Sequence, residues 1–158
     1  MKRRKHCLEY TFRVSWDNAV IPGVSRVSAL KRSSEVLDYR DGADPGATHK
    51  APGRVKFEPI TLERGVTHDT SFQAWADQLT GAATSSLRKT VRIELFDLKR
   101  KLVLVYELYR CWPSAYAAFE QLVDDGRSCL MEALTLEHEG WDREAPLKQV
   151  PVVRRPGR

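Results

Sequence analysis

The chain has 158 residues, 30% charged and 42% apolar, with a formal net charge of +5. That is enough for one domain with a real core. No apolar run approaches the length of a membrane span, and the charged start, MKRRKHCLEYTF, lacks the apolar stretch of a secretory signal. The positive charge sits at the ends. Lys2, Arg3, Arg4 and Lys5 lie at one, and Lys148, Arg154, Arg155 and Arg158 at the other; among the remaining residues acids outnumber bases. Residues 1–8 and 143–158 therefore read as basic tails, disordered and dispensable for folding, around a domain spanning residues 9–142. Cys7, Cys111 and Cys129 are odd in number and form no CxxC pair, which fits thiols in a reducing compartment better than a disulfide framework.

Residues Glu9–Trp16 alternate, with Tyr10, Phe12, Val14 and Trp16 on one face, and predict a half-buried strand. Asp17-Asn18 predicts a hairpin turn into Ala19–Ile21, and Pro22-Gly23 then breaks the run. Further strands are expected near Ser25–Leu30 and over Ser34–Tyr39. Asp41–Gly53 holds three glycines, two prolines and few apolar groups, and predicts a loop that does not order itself alone. Arg54–Glu63 returns to strand, with Val55, Phe57, Ile60 and Leu62 as apolar positions and Pro59 marking an edge or a bulge.

Phe72, Trp75, Ala76 and Leu79 fall at i, i+3, i+4 and i+7 and predict a helix over Thr70–Leu79. Thr70 is its candidate N-cap and Gly81 its stop, with Ser85–Ser86 in the linker that follows. Leu87–Leu98 and Leu102–Arg110 predict two long strands joined by an exposed turn at Asp97–Lys101. The second, LVLVYELYR, is expected to be buried on much of both faces, ending at Cys111-Trp-Pro113. Ser114–Asp125 is ambiguous, because AYAAFEQLV favours helix by propensity. A last strand is expected over Ser128–Glu139, with order lost after Trp141.

Little points to chemistry. His6, His49, His68 and His138 lie in four separate segments without metal-ligand spacing. His138 lies between Glu137 and Glu139, but in a strand it faces away from both. Neither Cys111 nor Cys129 sits in a recognisable protease context. Gly42, Gly46 and Gly53 do not follow a phosphate-loop spacing, and the segment leads into a strand where a phosphate cradle needs a helix N-terminus.

The order of several short stretches says more. Glu35–Gly42 (EVLDYRDG), Pro52-Gly-Arg54 and Ile60–Gly65 (ITLERG) are followed by Cys111-Trp-Pro113 and Leu134–Gly140 (LTLEHEG). Together they resemble the tail tube family of contractile phages and phage-tail-like injection systems. Members of that family read EYREG, PGR, ITLKRG, AWP and ITLAHEG at these places, and usually place an irregular connection at Ser114–Asp125. Ala29 departs from the family's usual glycine. The resemblance runs from about Phe12 to Trp141.

It implies a mainly β fold, a β-sandwich or small barrel with one flanking helix, and a structural subunit with no active site, cofactor or metal. Such subunits form hexameric rings that stack into a tube around a channel for cargo or DNA. The implied partners are further copies and tube paralogues, sheath and baseplate proteins. Assembly is expected in the bacterial cytoplasm, for a phage tail or an injection particle. The KRRK start and the basic C-terminus leave both a principal tube protein and a baseplate-proximal initiator open. On this reading Arg40, Asp41, Gly42, Asp44, His49, Lys50, Pro52, Gly53 and Arg54 are candidates for contacts between subunits or rings, and Phe72, Trp75 and Leu79 form the core stripe of the helix. The tails would make electrostatic contacts with an acidic neighbour. A different class, a small nucleic-acid-binding β-domain using both tails, is the alternative; a hydrolase on a β-scaffold has little support.

Overall fold

A computed structural model describes residues 9–44, 46–81 and 87–144. The basic clusters at both ends, and Ser85–Ser86, lie outside the described residues. The strands are β1 (Thr11–Trp16), β2 (Ala19–Ile21), β3 (Val24–Val27), β4 (Arg32–Arg40), β5 (Thr48–Phe57), β6 (Ile60–Gly65), β7 (Lys89–Phe96), β8 (Leu102–Ala117), β9 (Met131–Glu137) and β10 (Trp141–Glu144). One helix, α1 (Ser71–Asp77), runs into a 3-10 turn over Gln78–Thr80. Seven strands form one antiparallel path, β2-β1-β7-β8-β9-β6-β3, and β10 joins it as an eighth by pairing with β8; among the described residues β4 and β5 pair only with each other.

The path folds into two layers because β8 belongs to both. Its first part pairs with β7 and β10, and its second part, Trp112–Ala117, pairs with β9. The corner lies at Tyr109–Arg110. Arg110 takes a left-handed conformation (φ 52°), and the pairing with β7 shifts register there. The Tyr109 N–H donates to the Gly140 carbonyl (2.9 Å), and its own carbonyl accepts from the Glu139 N–H (3.0 Å). Gly140 has φ 142°, where a side chain is strained, and faces the Phe57 ring. Cys111-Trp-Pro113 therefore does not end the strand as expected. Beyond the bulge the chain exchanges one partner for another, and a register irregularity after Pro113 accommodates the missing N–H.

The core lies between the layers. Val14, Trp16 and Val91 meet Ile60, Leu62, Leu134 and Leu136, and α1 adds Phe72 and Trp75. Trp16 packs against Trp75 and Phe72 with ring centroids 4.8 and 6.0 Å apart. The Trp75 Nε1–H donates to the Leu87 carbonyl (2.7 Å). Leu79 is not part of this stripe. The helix ends at Asp77, the 3-10 turn changes the angular spacing, and Leu79 is left 44% exposed. Thr70 precedes α1 but makes no side-chain cap; the Asp69 carboxylate instead accepts from the Ser71 N–H (3.0 Å).

Two further expectations change, and the open reading of Ser114–Asp125 is resolved. In Leu102–Arg110 only Val105 and Leu108 are buried, and Leu102, Val103, Leu104 and Tyr106 stay half-buried within one subunit. Residues Ala118–Leu130 form neither helix nor strand and are exposed throughout. Pairing with β9 claims Ala115–Ala117, and the few helix formers left have no surface to pack on. The chain also stays ordered past Trp141, where Trp141–Glu144 pair with Val105–Leu108.

Trp75→Ala removes a fully buried indole and its hydrogen bond. It should lower unfolding free energy by roughly 3–5 kcal/mol, read as a lower denaturation midpoint with an unchanged slope.

Candidate assembly surfaces

The strands β4 and β5 make a ribbon that stands apart from the sandwich. It is anchored at its base. The Glu58 N–H donates to the Lys31 carbonyl (3.0 Å), and His138 Nε2 donates to the Glu58 carbonyl (2.8 Å). Phe57 packs among His138, Trp141 and Gly140, and the Arg32 guanidinium lies over the Trp141 ring. Further out every residue of β4 is exposed except Ser33, which is half-buried. The register shifts between Ser34 and Val36, opposite Gly53. A Cβ on Gly53 would come within 3.0–3.2 Å of Glu35 and Leu37, so only glycine lets the strands approach this closely.

The nine candidate contact residues all fall on this ribbon, but the segment that holds them is not a loop throughout. His49, Lys50, Pro52, Gly53 and Arg54 belong to β5, paired with β4, and Arg40 ends β4. Asp41, Gly42 and Asp44 lie in the connection. That connection is organised by its own carboxylates: Asp41 accepts from the Ala43 N–H (3.2 Å) and Asp44 from the Gly46 N–H (3.3 Å). Sequence reasoning missed the strand because both of its faces meet solvent, so no alternation marks it.

Cross-strand partners share a face of the ribbon. Leu37 with Ala51 and Tyr39 with His49 form one face, where the Tyr39 and His49 rings stack at 5.5 Å. Val36 with Pro52, Asp38 with Lys50 and Arg40 with Thr48 form the other. Val36, Leu37, Tyr39 and Val55 are 48–61% exposed. An isolated two-stranded ribbon is marginal in water, so exposed apolar groups on it mark a surface made to be covered.

At the other end of the β6–β9 pair lies a buried ionic network that sequence reasoning did not identify. Arg64 and Glu132 are both buried and paired through Arg64 Nε. Arg64 Nη1 donates to Asp69 Oδ1 (2.9 Å) and the Pro22 carbonyl (3.2 Å), and Nη2 to the Asp69 carbonyl (2.8 Å). The guanidinium carbon lies 4.2 Å from the Phe72 ring centroid. The Tyr116 hydroxyl donates to the second Glu132 oxygen (2.9 Å). Bonds from Ser71, followed by the Arg64 contact, hold the Asp69 carboxyl down at about 2. Burial pushes the Tyr116 hydroxyl up to about 12, with the bond to Glu132 adding to it. The available signal was the strand period. Arg64 shares a face with Ile60 and Leu62, and Glu132 with Leu134 and Leu136.

Nucleophilic chemistry has no support here. Cys111 is buried, and desolvation pushes its thiol up to about 12, so the reactive thiolate is disfavoured. His138 is buried under the ribbon base, away from the exposed Glu139.

Among the described residues, a two-layer antiparallel β domain with one helix carries a ribbon that pairs with no other strand of the subunit. The sequence model of the T4-like virus tail tube protein gp19 family matches residues 8–142, and the chain belongs to that family of structural tube proteins. No curated protein matches it by sequence. Its fold is similar to that of a chain in the PVC sheath–tube complex, an extracellular contractile injection system in the extended state (TM-score 0.75, 23% identity, covering 90% of this chain and 95% of that one). A chain of the anti-feeding prophage baseplate compares similarly (0.72, 19%, 92% and 98%), and Hcp1 from Flavobacterium johnsoniae more distantly (0.51, 12%, 85% and 95%). The chain is thus a structural tube subunit and not an enzyme, with the mainly β, one-helix fold that its sequence pattern implies.

Two outcomes follow from the network. Glu132→Ala strands a buried guanidinium and should cost roughly 3–5 kcal/mol of stability in denaturant titrations. Asp69 has a folded pKa near 2, below its ordinary 3.8, so its contribution is complete above about pH 4 and disappears as pH falls towards 2. Melting temperature measured from pH 5 to pH 2 should fall less in Asp69→Asn than in the parent chain.

Proposed function

We propose that six copies of the chain form a ring and that rings stack into the inner tube of a contractile tail or injection particle. The observation that carries this reading is the free-standing β4–β5 ribbon, with its exposed apolar groups, in a chain of the tail tube family. The sheet path also ends in two open edges, β2 and β3, which suit lateral pairing with neighbouring subunits. The half-buried side chains of Leu102, Val103 and Leu104 favour a further covering surface outside the subunit.

The chain serves either as the principal tube protein or as the baseplate-proximal initiator, with sheath and baseplate proteins outside it and cargo or DNA in the channel. Assembly takes place in the bacterial cytoplasm. The tube domain occupies residues 9–142, and the basic tails on either side contact acidic neighbours. Neither the fold nor the comparisons favour the nucleic-acid alternative, since the clusters on which it rests lie outside the described residues.

Electron microscopy of the assembled particle tests the reading. The expected result is this chain in stacked six-membered rings, and a particle with the chain outside any ring would overturn it. Excising Ser33–Lys56 for a short glycine–serine linker should leave a folded body, because the ribbon shares no strand pairing with the sandwich. Circular dichroism should retain the β signal, and sedimentation should show loss of stacked assemblies.

A further inference from the structure

We infer that the ribbon face built by Leu37, Tyr39, His49 and Ala51 seats on the Ala118–Leu130 loop of a copy in the next ring, an inference that rests on the tube reading above. Three observations carry it.

The first is placement. The ribbon and the loop lie at opposite ends of the β6–β9 pair, whose register runs from Ile60↔Leu136 to Gly65↔Met131, about 17 Å along the strands. The ribbon springs from Glu58, beside Ile60. The loop is fixed at the other end, where the Val66 N–H donates to the Leu130 carbonyl (3.0 Å) and the Glu120 N–H to the Met131 carbonyl (3.2 Å). Two different surfaces at opposite ends of one axis make a head-to-tail contact, which repeats without closing and so builds a stack.

The second is apolar exposure at both ends. Phe119, Leu122, Val123 and Leu130 are 40–65% exposed, and the ribbon leaves Leu37 and Tyr39 exposed at 48% and 53%. These thirteen consecutive exposed residues, with four large apolar side chains, have no covering among the described residues.

The third is charge. The loop carries Glu120, Asp124 and Asp125 against Arg127, whereas the ribbon carries a small basic excess, Arg32, Arg40, Lys50, Arg54 and Lys56 against Glu35, Asp38, Asp41 and Asp44, with Lys50 facing Asp38 on its other face. A second copy thus offers the slightly basic ribbon an acidic loop, a difference in sign that favours their approach.

Cys129, exposed within the loop, supplies the probe. In a Cys7→Ser background, Leu37→Cys and His49→Cys should each give, under mild oxidation of assembled particles, a disulfide ladder that runs past the number of subunits in one ring. Cys129→Ser should abolish it, and Val36→Cys, on the other face, should not produce it. In the parent chain, maleimide labelling of Cys129 should slow by about tenfold or more on assembly as the contact excludes water. Tubes that form normally with no ladder from either cysteine, or with Cys129 labelled as fast as in the free subunit, overturn the inference while leaving the tube reading in place. A ladder that stops at one ring's count overturns it too, by placing the contact between lateral neighbours. A parent particle with no rings containing this chain removes the tube reading and the inference with it.

Discussion

Burying the Arg64 guanidinium is unfavourable by several kcal/mol unless its charge and donors are matched, and four separate segments supply the match. Glu132 comes from β9, the Asp69 side chain and carbonyl from the segment before α1, the Pro22 carbonyl from the turn between β2 and β3, and the Phe72 ring from the helix itself. Tyr116 on β8 satisfies the remaining Glu132 oxygen. One side chain thus fixes where the helix lies against the second layer and where the first hairpin meets it. A helix of seven residues has little stability of its own. Its position depends on this network and on Phe72 and Trp75 entering the core beside Trp16.

The same network braces one end of the β6–β9 pair. The other end is braced by His138, Phe57 and Trp141 beneath the ribbon. Between the braces the strands carry core residues on one face. The subunit is therefore rigid where the two candidate surfaces attach and uncovered where they project. The corner in β8 has a related effect. A sixteen-residue strand shared by both layers makes the sandwich a single sheet folded over, with Tyr109 bonded to Gly140 at the fold.

How far the sequence showed this depended on whether each element buries one face. Val14 and Trp16 in β1, and Phe72 and Trp75 in α1, follow the period of their elements because one side of each meets the core. The turn at Asp17-Asn18 was legible for a local reason, since both residues tolerate the left-handed conformations they adopt (φ 52° and 59°). The far half of the ribbon was not, because Thr48–Gly53 has solvent on both sides, with Pro52 and Gly53 suggesting irregular chain. Its register depends on the close approach of Gly53 to Glu35, eighteen positions away. The length of β8 was hidden for a different reason: Trp112–Ala117 extend because β9 pairs beside them, far away in sequence. The Arg64–Glu132 pair was present in the alternation of Ile60-Leu62-Arg64 and Glu132-Leu134-Leu136, but charge at those positions reads as surface unless period is given precedence over residue type.

The ribbon also bears on when assembly can occur. Ordering a residue's backbone costs about 1–2 kcal/mol, and a two-stranded ribbon recovers little of this from its own hydrogen bonds in water. In a free subunit the ordered ribbon is therefore held only by its base, through Glu58, Phe57 and Arg32. In the head-to-tail contact inferred above, the subunit that contributes the ribbon must meet that cost before the contact returns anything. On the tube reading proposed above, the physics of the ribbon therefore disfavours pairing between two free subunits. On that reading the same bias would oppose premature association of a chain with exposed apolar groups on its ribbon and open sheet edges.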